Sequence, residues 1–261
     1  MKIINNQVLA EYTTFKIGGP AEHFCVAKTT GDLITAVKLA KKNHWPVFIF
    51  GSASNVLISD QGLKGLVIKN ETNKIKILPR QQAELDSGVF LPKAIFYLID
   101  RGLTGLEVFS GIPATVGGAT AVKMHGVSAL WEDFIVKIKK YENIILSVII
   151  QLQSGDKATA LAKAKTILAN KAYQPQRSSG CIFKNIGGIS TGYLIDKKLH
   201  LKGKQIGQAI ISNQHANFIE NLGNAKAADV LQLIKLVQKT AKEQLNLDLQ
   251  LEVEVYGKIN H

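Results

Sequence analysis

Residues 105–119 are the least regular part of the sequence, and any fold has to accommodate them. Their sequence, GLEVFSGIPATVGGA, contains four glycines and one proline among apolar residues. Glycine and proline are unfavourable inside a helix, and both interrupt a regular strand. Two explanations fit this composition: backbone that packs closely against a large flat ligand, or tight turns inside a core. In either case, this glycine-rich segment must be irregular backbone with apolar surroundings.

Before the glycine-rich segment, the sequence predicts an alternation of strands and helices. The apolar residues 24–27 and 46–50 are predicted strands. Between them, residues 32–43 have the apolar spacing of a helix that Thr30 could cap. The second strand runs into residues 51–55, GSASN, whose small side chains allow backbone N–H groups to converge on phosphate oxygens. This loop is therefore a candidate phosphate site, and an ordinary turn is the alternative.

Two helices are predicted in the second half of the chain, after a domain boundary placed near residue 153. The first covers residues 156–170, and a longer apolar stripe predicts the second over residues 225–244. The inward side chains expected on the first helix are Ala158, Leu161, Ala162 and Leu168.

The last predicted strand alternates aliphatic and polar residues from 247 to 255. Because successive side chains of a strand point to opposite faces, the aliphatic residues share one face. The other face carries Asp248, Gln250, Glu252 and Glu254. These carboxylates either form a solvated surface or include a catalytic group.

The composition is that of a globular protein with a basic surface. Of the 261 residues, 46% are hydrophobic and 20% are charged, and the net charge is +12. Such a charge attracts polyanions, which include nucleic acid, anionic membranes and phosphorylated small molecules. The lysines are spread along the chain with few aromatic residues among them, which is typical of solvated faces. We therefore expect a small-molecule partner and no nucleic acid.

The sequence indicates neither export nor membrane insertion. Residues 1–7 lack the apolar core of a signal peptide, and no apolar run reaches the ~18 residues of a membrane-spanning helix. The two cysteines, Cys25 and Cys181, lie far apart and form no CxxC pair, so neither a metal site nor a disulfide is indicated. We expect a monomer in the reducing cytoplasm, with Cys25 as a small buried hydrophobic residue.

A second candidate site surrounds Cys181. Residues 178–185 have the sequence SSGCIFKN, which joins small residues, a thiol, an apolar pair, a cation and an amide. The basic neighbours Arg177 and Lys184 favour a reactive or proton-donating thiol. Lys184 and Asn185 offer hydrogen-bond donors that suit phosphate or carboxylate oxygens. The alternative is an inert cysteine on a strand.

Seven segments of the sequence occur in the same order as in one known family. They are TTFKIGGPA, GSASNVLISD, GLTGLEVFSGIPATVGGA, SSGCIFKN, LKGKQIGQAIISNQHANFIEN, AADVLQLI and LEVEVYG. The chain thereby resembles the UDP-N-acetylenolpyruvoylglucosamine reductases over nearly its whole length. The resemblance implies a bound FAD that is reduced by NADPH and passes a hydride to the enol ether of a UDP-sugar. The product would be UDP-N-acetylmuramate for bacterial peptidoglycan.

The resemblance also implies an α+β fold in two parts. Residues 1–153 would form an FAD-binding module of the vanillyl-alcohol-oxidase (PCMH) type, with subdomains of about residues 1–66 and 67–153. Residues 154–261 would form an α+β domain that binds the UDP-sugar.

The family motifs assign roles to single residues. Cys181 matches the proton donor, and Glu252 matches the carboxylate that stabilises the enol-like intermediate. A thiol, with an ordinary pKa of about 8.5, is a stronger acid than the serine hydroxyl usual at this position. The residues at or next to substrate-contacting positions are Lys184, Asn185 and His215. The residues matched to FAD contacts are Gly51, Ser52, Ala53, Ser54, Asn55, Ser110, Gly111, Ile112, Pro113, Thr115, Val116, Gly117 and Gly118.

The chain departs from the family pattern after the glycine-rich segment. Residues 122–126, VKMHG, stand where the family has an Asn-Ala-Gly segment. The family's Tyr-Arg-x-Ser motif, whose arginine binds the substrate carboxylate, is missing from a shortened region of residues 131–152. Lys123 and Arg177 are candidate replacements for that arginine. Besides an active reductase, the alternatives are a non-catalytic relative that binds FAD or a nucleotide, and a flavin oxidase that shares the FAD module.

Overall fold

The computed structural model describes residues 1–126, 128–171 and 174–258. The strands in these ranges are β1 Ile4–Val8, β2 Pro20–Ala27, β3 Val47–Phe50, β4 Val56–Ile58, β5 Leu63–Asn70, β6 Ile75–Leu78, β7 Gln82–Asp86, β8 Leu103–Thr104, β9 Ile135–Tyr141, β10 Ile144–Gln151, β11 Gln153–Ser154, β12 Gln205–Ile206, β13 Ala209–Ile211, β14 Ile219–Asn221 and β15 Glu254–Tyr256. The helices are α1 Thr30–Lys42, α2 Leu91–Ile99, α3 Val116–Ala121, α4 Lys157–Lys171, α5 Thr191–Tyr193 and α6 Ala227–Leu245. No helix in the described ranges combines the length and the apolar character needed to cross a membrane.

The chain divides into two compact units. The first unit consists of Met1–Ile4, His23–Ser52 and Gly65–Tyr173, and the second unit consists of Asn5–Glu22, Ala53–Lys64 and Gln174–His261. The change of unit at residue 173 differs from the boundary expected near residue 153. Helix α4 accounts for the difference, because it packs into the core of the first unit instead of beginning a new one.

Helix α4 uses small side chains for this contact. Ala160 and Ala164 are buried in the main hydrophobic cluster of the first unit. The predicted inward residues Ala158, Ala162 and Leu168 are exposed, so this part of the prediction is wrong. Apolar residues occur on more than one face of this alanine-rich helix, and apolar spacing alone therefore did not identify the packed face.

Helix α1 begins with a capping box. Thr29 Oγ1 accepts a hydrogen bond from the Asp32 N–H (3.1 Å), and the Asp32 carboxylate accepts one from the Thr29 N–H (2.9 Å). The capping residue is therefore Thr29 and not Thr30 as predicted, which corresponds to the capping-box pattern. The apolar spacing that predicted this helix corresponds to its buried face, which consists of Leu33, Ala36, Val37 and Ala40.

Two four-stranded sheets accompany these helices. One has the order β1-β2-β5-β3, with β3 parallel to β5, and the other is antiparallel with the order β6-β7-β10-β9. Strands β9 and β10 are joined through Glu142 and Asn143, and Glu142 has a positive φ of 52°. This tight turn agrees with the shortened middle region found in the sequence.

The glycine-rich segment crosses the core of the first unit. It contains the 3₁₀ turn Glu107–Phe109, and the Phe109 ring meets the Trp131 ring edge to face at a centroid distance of 5.8 Å. Trp131 is fully buried and donates from Nε1 to Thr120 Oγ1 (2.9 Å). One of the two explanations for this segment, tight turns inside a core, is therefore visible in the structure.

Helix α6 covers the core of the second unit. It packs on the antiparallel sheet β12-β13-β14, while β15 runs parallel to β4. The Asp60 carboxylate accepts a hydrogen bond from the N–H of Ala227, the first residue of α6 (3.0 Å), which caps a helix end that would otherwise lack an acceptor. The buried face of the helix includes Val230, Leu233, Ile234 and Val237.

Residues 247–255 alternate in burial, but they do not form one continuous strand as predicted. Leu249 and Val253 are buried, and the polar residues between them are exposed. Only the end of this stretch belongs to β15, whereas Leu251 forms an isolated antiparallel bridge with Phe183. The stretch changes its pairing partner along its length, and this change interrupts the strand.

Candidate functional site

In the second unit, the segments that carry Cys181 and Glu252 are hydrogen-bonded neighbours. The Lys184 N–H donates to the Gln250 carbonyl (2.9 Å), and the Glu252 N–H donates to the Ile182 carbonyl (2.8 Å). These bonds hold the two segments antiparallel. The structure thus brings the predicted proton donor and the predicted carboxylate onto adjacent backbone segments.

The other edge of the Cys181 segment is held by Asn217. The Asn217 backbone carbonyl accepts from the Ile182 N–H (2.8 Å). The Asn217 side chain accepts from the Phe183 N–H at Oδ1 (3.0 Å) and donates from Nδ2 to the Phe183 carbonyl (2.8 Å). Asn217 is 2% exposed, so these bonds form away from water. The backbone after Cys181 is therefore fixed on both edges.

Two buried serines and a glycine with a positive φ precede Cys181. Gly180 has a φ of +79°, and a Cβ added there would meet no atom within 4 Å, so glycine serves the backbone conformation at this position. The buried Ser178 Oγ donates to the Pro175 carbonyl (3.1 Å). The Ser179 hydroxyl is also buried and has no hydrogen-bond partner among the described residues. Such an orphaned hydroxyl is a group that a bound molecule could satisfy.

Thr191 holds the two predicted substrate contacts that follow the Cys181 segment. Its N–H donates to Asn185 Oδ1 (3.0 Å), and its hydroxyl donates to the Lys184 carbonyl (2.6 Å). The side chains of Lys184 and Asn185 are exposed. Because Asn185 Oδ1 is engaged, the orientation of the amide is set and Nδ2 is its donor end.

His215 lies in the loop between β13 and β14. Its Nδ1 accepts a hydrogen bond from the Asn217 N–H (3.3 Å), and its ring packs against Phe218 at a centroid distance of 4.7 Å. A neutral imidazole that accepts at Nδ1 carries its proton on Nε2. His215 is therefore an Nε2–H donor, which suits an anionic oxygen.

In the first unit, Gly51 and Ser52 contact the glycine-rich segment. A Cβ on Gly51 would lie 2.1 Å from Thr115 Oγ1, so this position has room only for glycine. Ser52 Oγ donates to the Pro113 carbonyl (2.5 Å), and Thr115 Oγ1 accepts from the N–H of the exposed Gly118 (3.3 Å). These contacts bring together five of the residues predicted to bind FAD, which are Gly51, Ser52, Pro113, Thr115 and Gly118.

The rest of the 51–55 loop belongs to the second unit. Ala53 has a φ of 48°, a conformation that costs a residue with a Cβ roughly 1–2 kcal/mol. Its carbonyl accepts from the Thr14 N–H (3.4 Å). Asn55 Nδ2 donates to the Glu252 carbonyl (3.1 Å), so this side chain anchors the C-terminal segment, and Ser54 beside it is partly exposed.

The second half of the glycine-rich segment is fixed by core contacts. The buried Ser110 hydroxyl donates to the Ala164 carbonyl of α4 (2.9 Å), and Val116 is fully buried. The Gly117 N–H donates to the Ser87 carbonyl (2.7 Å), and a Cβ on Gly117 would lie 2.8 Å from Ser87 Cβ. The side chains of Ser110 and Val116 therefore support the segment from within the protein.

A cavity of about 210 Å³ lies beside the same segment in the first unit. Gly111 and Ile112 form part of its wall, which also contains the basic residues His125 and Lys171. The volume is below the ~300–1,000 Å³ of common small-molecule sites. The cavity therefore has room for part of a large cofactor.

The two candidate replacements for the family's arginine lie in different units. In the first unit, Lys123 Nζ is 3.2 Å from the Glu132 carboxylate, in an exposed ion pair. In the second unit, Arg177 is exposed, and its carbonyl accepts from the Asn221 N–H (2.9 Å). Arg177, and not Lys123, therefore shares a unit with Cys181.

The two cysteines have different environments, and neither forms a disulfide. Cys25 is fully buried, and this burial raises its pKa to about 11. The prediction of a small buried hydrophobic residue is thereby confirmed for Cys25. Cys181, in contrast, is partly exposed. In the described part of the chain, no three His, Cys, Asp or Glu side chains are grouped to hold a metal ion.

Four residues hold the backbone of the predicted site residues by hydrogen bonds, and the sequence did not identify them. They are Asn217, Thr191, Thr14 and Lys69. Thr14 Oγ1 donates to the Ser178 carbonyl (2.8 Å), and Lys69 Nζ donates to the Gly51 carbonyl. A signal existed for Asn217, because an asparagine between apolar residues has to be hydrogen-bonded when it is buried. The other three have no local signal, since their partners are set by the fold.

Two family models match the chain. A model of the C-terminal domain of UDP-N-acetylenolpyruvoylglucosamine reductase matches residues 173–256, and a model of an FAD binding domain matches residues 21–141. Together they cover most of the chain, and the first match begins one residue before the last part of the second unit.

Relatives and a solved structure show the same similarity. The UDP-N-acetylenolpyruvoylglucosamine reductase of Lactobacillus delbrueckii subsp. bulgaricus is 34% identical over 283 residues, covering 97% of this chain and 95% of the relative. The reductase of Clostridium novyi is 32% identical, covering 98% of this chain and 93% of the relative. The crystal structure of the reductase from Thermus caldophilus has a TM-score of 0.83 and 30% identity, covering 98% of this chain and 100% of that chain. The predicted α+β fold with a PCMH-type FAD-binding module is confirmed.

Proposed function

The chain belongs to the UDP-N-acetylenolpyruvoylglucosamine reductase family, and on this basis we propose that it reduces UDP-N-acetylglucosamine enolpyruvate to UDP-N-acetylmuramate. FAD is the proposed bound cofactor and NADPH the proposed reductant. The observation that carries the proposal is the pairing of the Cys181 and Glu252 segments, since these residues match the family's proton donor and carboxylate. The proposed setting is peptidoglycan synthesis by a monomer in the cytoplasm.

The proposed reaction adds a hydride and a proton across the double bond of the enol ether. FAD, when bound, supplies the hydride chemistry. The Cys181 thiol gives its proton to the double-bond carbon that does not receive the hydride, and the thiolate regains a proton from solvent. Glu252 stabilises the enol-like form of the substrate beside the substrate carboxylate. The chain's own contribution is therefore one proton and the stabilisation of developing charge.

The residues of the first unit fit a flavin mainly through shape. Gly51 and Gly117 allow close contacts that no Cβ would permit, and the cavity beside Gly111 and Ile112 has a wall of apolar and basic residues. We assign the pyrophosphate of FAD to residues 51–55, and the flavin ring with its ribityl chain to residues 110–118.

Three side chains of the second unit are the proposed contacts to the UDP-sugar. Lys184 supplies an ammonium group, Asn185 an amide N–H, and His215 an imidazole N–H, and each suits phosphate or sugar oxygens. A chain with a net charge of +12 also attracts a diphosphate from a distance. Arg177 is the proposed replacement for the family's arginine at the substrate carboxylate, because it shares a unit with Cys181.

A non-catalytic FAD- or nucleotide-binding relative is the second candidate. The observation in its favour is the tight turn at Glu142, which leaves no residues for a Tyr-Arg-x-Ser segment between β9 and β10. The alignment to the Lactobacillus delbrueckii reductase spans 283 residues against 261 in this chain, so that relative has residues that this chain lacks.

Separate measurement of the two half-reactions decides between these candidates. The purified protein should show a flavin spectrum, be bleached by NADPH, and recover its absorbance when UDP-N-acetylglucosamine enolpyruvate is added. Cys181→Ala should slow the recovery by about 10²–10⁴-fold, to a residual rate at which water supplies the proton, and leave the bleaching by NADPH largely intact, because only the second half-reaction needs the proton.

Cys181→Ser is the matched control, since serine is the usual residue at this position in the family, and it should retain activity. A protein that binds FAD but shows no recovery at saturating substrate would contradict the reductase and support the non-catalytic candidate. Equal loss of both half-reactions in Cys181→Ala would point to a defect in binding or folding instead. Complementation of a conditional reductase mutant would exclude the non-catalytic candidate.

A further inference from the structure

We propose that Asn217 is a positioning residue for proton transfer, which acts by holding the backbone that carries Cys181. This inference rests on the proposed function, because it concerns the proton that Cys181 donates. It assigns a role to a residue that lies outside the predicted site and whose side-chain amide bonds to the backbone of Phe183.

The Asn217 side chain makes the hydrogen bonds to Phe183 that the backbone of a neighbouring strand would otherwise make. Its amide accepts from the Phe183 N–H (3.0 Å) and donates to the Phe183 carbonyl (2.8 Å), which is the pair of bonds that two residues exchange in an antiparallel ladder. The Asn217 backbone carbonyl adds a third bond, from the Ile182 N–H (2.8 Å). A single residue therefore completes the pairing of two consecutive residues after Cys181.

Burial makes these bonds difficult to replace. Asn217 is 2% exposed, and Ile182 and Phe183 are each 1% exposed. If the Asn217 amide is removed, water cannot easily reach the N–H and C=O groups of Phe183, and both are left unsatisfied. The backbone then shifts to find other partners, and Cys181, two residues away, shifts with it.

The opposite edge of the same backbone belongs to the Glu252 segment. The Glu252 N–H donates to the Ile182 carbonyl (2.8 Å), so the relative position of Cys181 and Glu252 depends on a backbone that Asn217 fixes. Proton transfer is sensitive to such a shift, because donor and acceptor atoms must approach to about 3 Å. Binding of FAD and its reduction by NADPH do not use this proton, and we expect them to be unaffected.

Asn221 provides a matched control in the same unit. It is also a buried asparagine (4% exposed), whose Nδ2 donates to the carbonyls of Phe15 (3.0 Å) and Lys16 (3.2 Å). Its Oδ1 accepts from the N–H groups of Gly223 (2.8 Å) and Ala225 (3.0 Å), so none of these side-chain bonds goes to residues 178–185. The bond from its backbone N–H to the Arg177 carbonyl remains when the side chain is replaced by alanine. Asn217→Ala and Asn221→Ala each remove one buried amide. A merely structural role for Asn217 predicts similar behaviour of the two variants, whereas a positioning role predicts that only Asn217→Ala impairs proton transfer.

The test is a double-mutant cycle on the FAD-loaded protein. Asn217→Ala should slow flavin reoxidation by UDP-N-acetylglucosamine enolpyruvate at least tenfold, with reduction by NADPH within twofold of wild type. In a Cys181→Ala background, the same substitution should change reoxidation less than twofold, because the group that it positions is gone. Asn221→Ala should leave reoxidation within twofold of wild type.

Amide hydrogen exchange gives a readout that does not depend on turnover. The Phe183 amide should exchange at least tenfold faster in Asn217→Ala than in Asn221→Ala. If Asn217→Ala does not fold, Asn217→Asp keeps an acceptor for the Phe183 N–H but loses the donor to its carbonyl, and it should show the same pattern with smaller changes.

The outcomes separate this inference from the proposed function. Wild-type reoxidation in a folded, FAD-containing Asn217 variant, or the full tenfold loss repeated in the Cys181→Ala background, would overturn the positioning role alone. A wild-type protein that is reduced by NADPH but never reoxidised by the substrate would overturn the proposed function, and the positioning role with it.

Discussion

The glycine-rich segment of the first unit and the Cys181 segment of the second unit are both fixed in shape, but by different means. In the first, a Cβ on Gly117 would lie 2.8 Å from Ser87 Cβ, and a Cβ on Gly51, in the loop that contacts this segment, would lie 2.1 Å from Thr115 Oγ1. In the second, a Cβ on Gly180 would meet none of the described residues within 4 Å, and the backbone is held by the side chains of Asn217 and Thr191. Glycine thus provides space in one segment and a backbone conformation in the other.

This difference matches the chemistry proposed for each segment. A flat cofactor is bound largely by shape, and close backbone packing produces a rigid shape without mobile side chains. A proton donor has to be placed relative to a substrate, and hydrogen bonds from buried side chains fix position and direction together. Substitutions in the first segment should therefore act through steric overlap, and those in the second through conformation and lost hydrogen bonds.

The largest expected effect is that of Gly117→Ala. The added methyl would overlap Ser87 Cβ (2.8 Å) and the Ser87 carbonyl oxygen (2.9 Å), neither of which can move without the backbone. We expect the free energy of unfolding to fall by about 2–3 kcal/mol, the upper part of the ~1–3 kcal/mol range of overpacked cores. Urea unfolding followed by circular dichroism measures this change.

The neighbouring Gly118→Ala is the control for this test. A Cβ there meets only Thr115 Oγ1 at 3.3 Å, and alanine favours a helix over glycine by up to ~1 kcal/mol. We therefore expect no loss of stability, or a small gain. Equal destabilisation by the two substitutions would show that α3, and not the contact with Ser87, requires glycine.

A smaller effect is expected for Gly180→Ala in the second unit. There is space for a methyl group, but a φ of +79° is unfavourable for alanine by roughly 1–2 kcal/mol. The loss of chain entropy in the unfolded state offsets part of this, so the net loss of unfolding free energy should be about 1 kcal/mol. The measurement is again urea unfolding.

Gly31→Ala is the control for Gly180→Ala, because both positions have space for a methyl group and only Gly180 has a positive φ. Gly31 lies in α1 without a positive φ, and a Cβ there would meet only Thr29 Oγ1 at 3.7 Å. This variant should be as stable as wild type or more stable. A Gly180→Ala protein more stable than wild type would show that the backbone before Cys181 can relax, and that conformation does not explain this glycine.

The elements that the sequence predicted well are those whose signal is local. The helices α1 and α6 were identified from apolar spacing, because each has one apolar stripe. The face of α4 was missed, since its alanines occur on several sides. The continuous strand over residues 247–255 was also wrong, because alternation reports which side chains are buried and not which segment pairs with the backbone.

The contacts that shape the candidate site were not predictable from spacing. The bonds between Asn217 and Phe183 join residues 34 positions apart, and those between Asn55 and Glu252 join residues 197 apart. Such pairs are decided by the fold as a whole. The family motifs did indicate Cys181, Lys184 and Asn185, but they carried no information about the side chains that hold them.

The smallest expected effect tests whether side-chain charge beside the glycine-rich segment contributes to the free energy of unfolding. Asp86 precedes Ser87, is 9% exposed, and accepts a hydrogen bond from the Lys74 N–H (3.0 Å). Burial raises the pKa of Asp86 above its ordinary value. The ionised form is therefore unfavourable in the folded state, and this penalty is present above the folded pKa and disappears as the pH falls through it. Asp86→Asn should raise the free energy of unfolding at pH 7 by about 1 kcal/mol or less.

Glu84, on the same strand, should show the opposite pH dependence. Hydrogen bonds from Lys139 Nζ and Ser147 Oγ, each 2.7 Å, lower the pKa of Glu84. Its contribution to stability is present above the unfolded pKa and is lost as the pH falls through the folded pKa. Glu84→Gln should therefore lower the unfolding free energy at pH 7 by about 1 kcal/mol or less.

Urea unfolding at several pH values from 7 to 3 measures both variants. The gain in unfolding free energy of Asp86→Asn and the loss in Glu84→Gln, each relative to wild type, should both shrink towards zero as the pH falls. Differences of the same sign at pH 7 would mean that charge has no specific role beside the glycine-rich segment, and that backbone packing alone gives this region its shape.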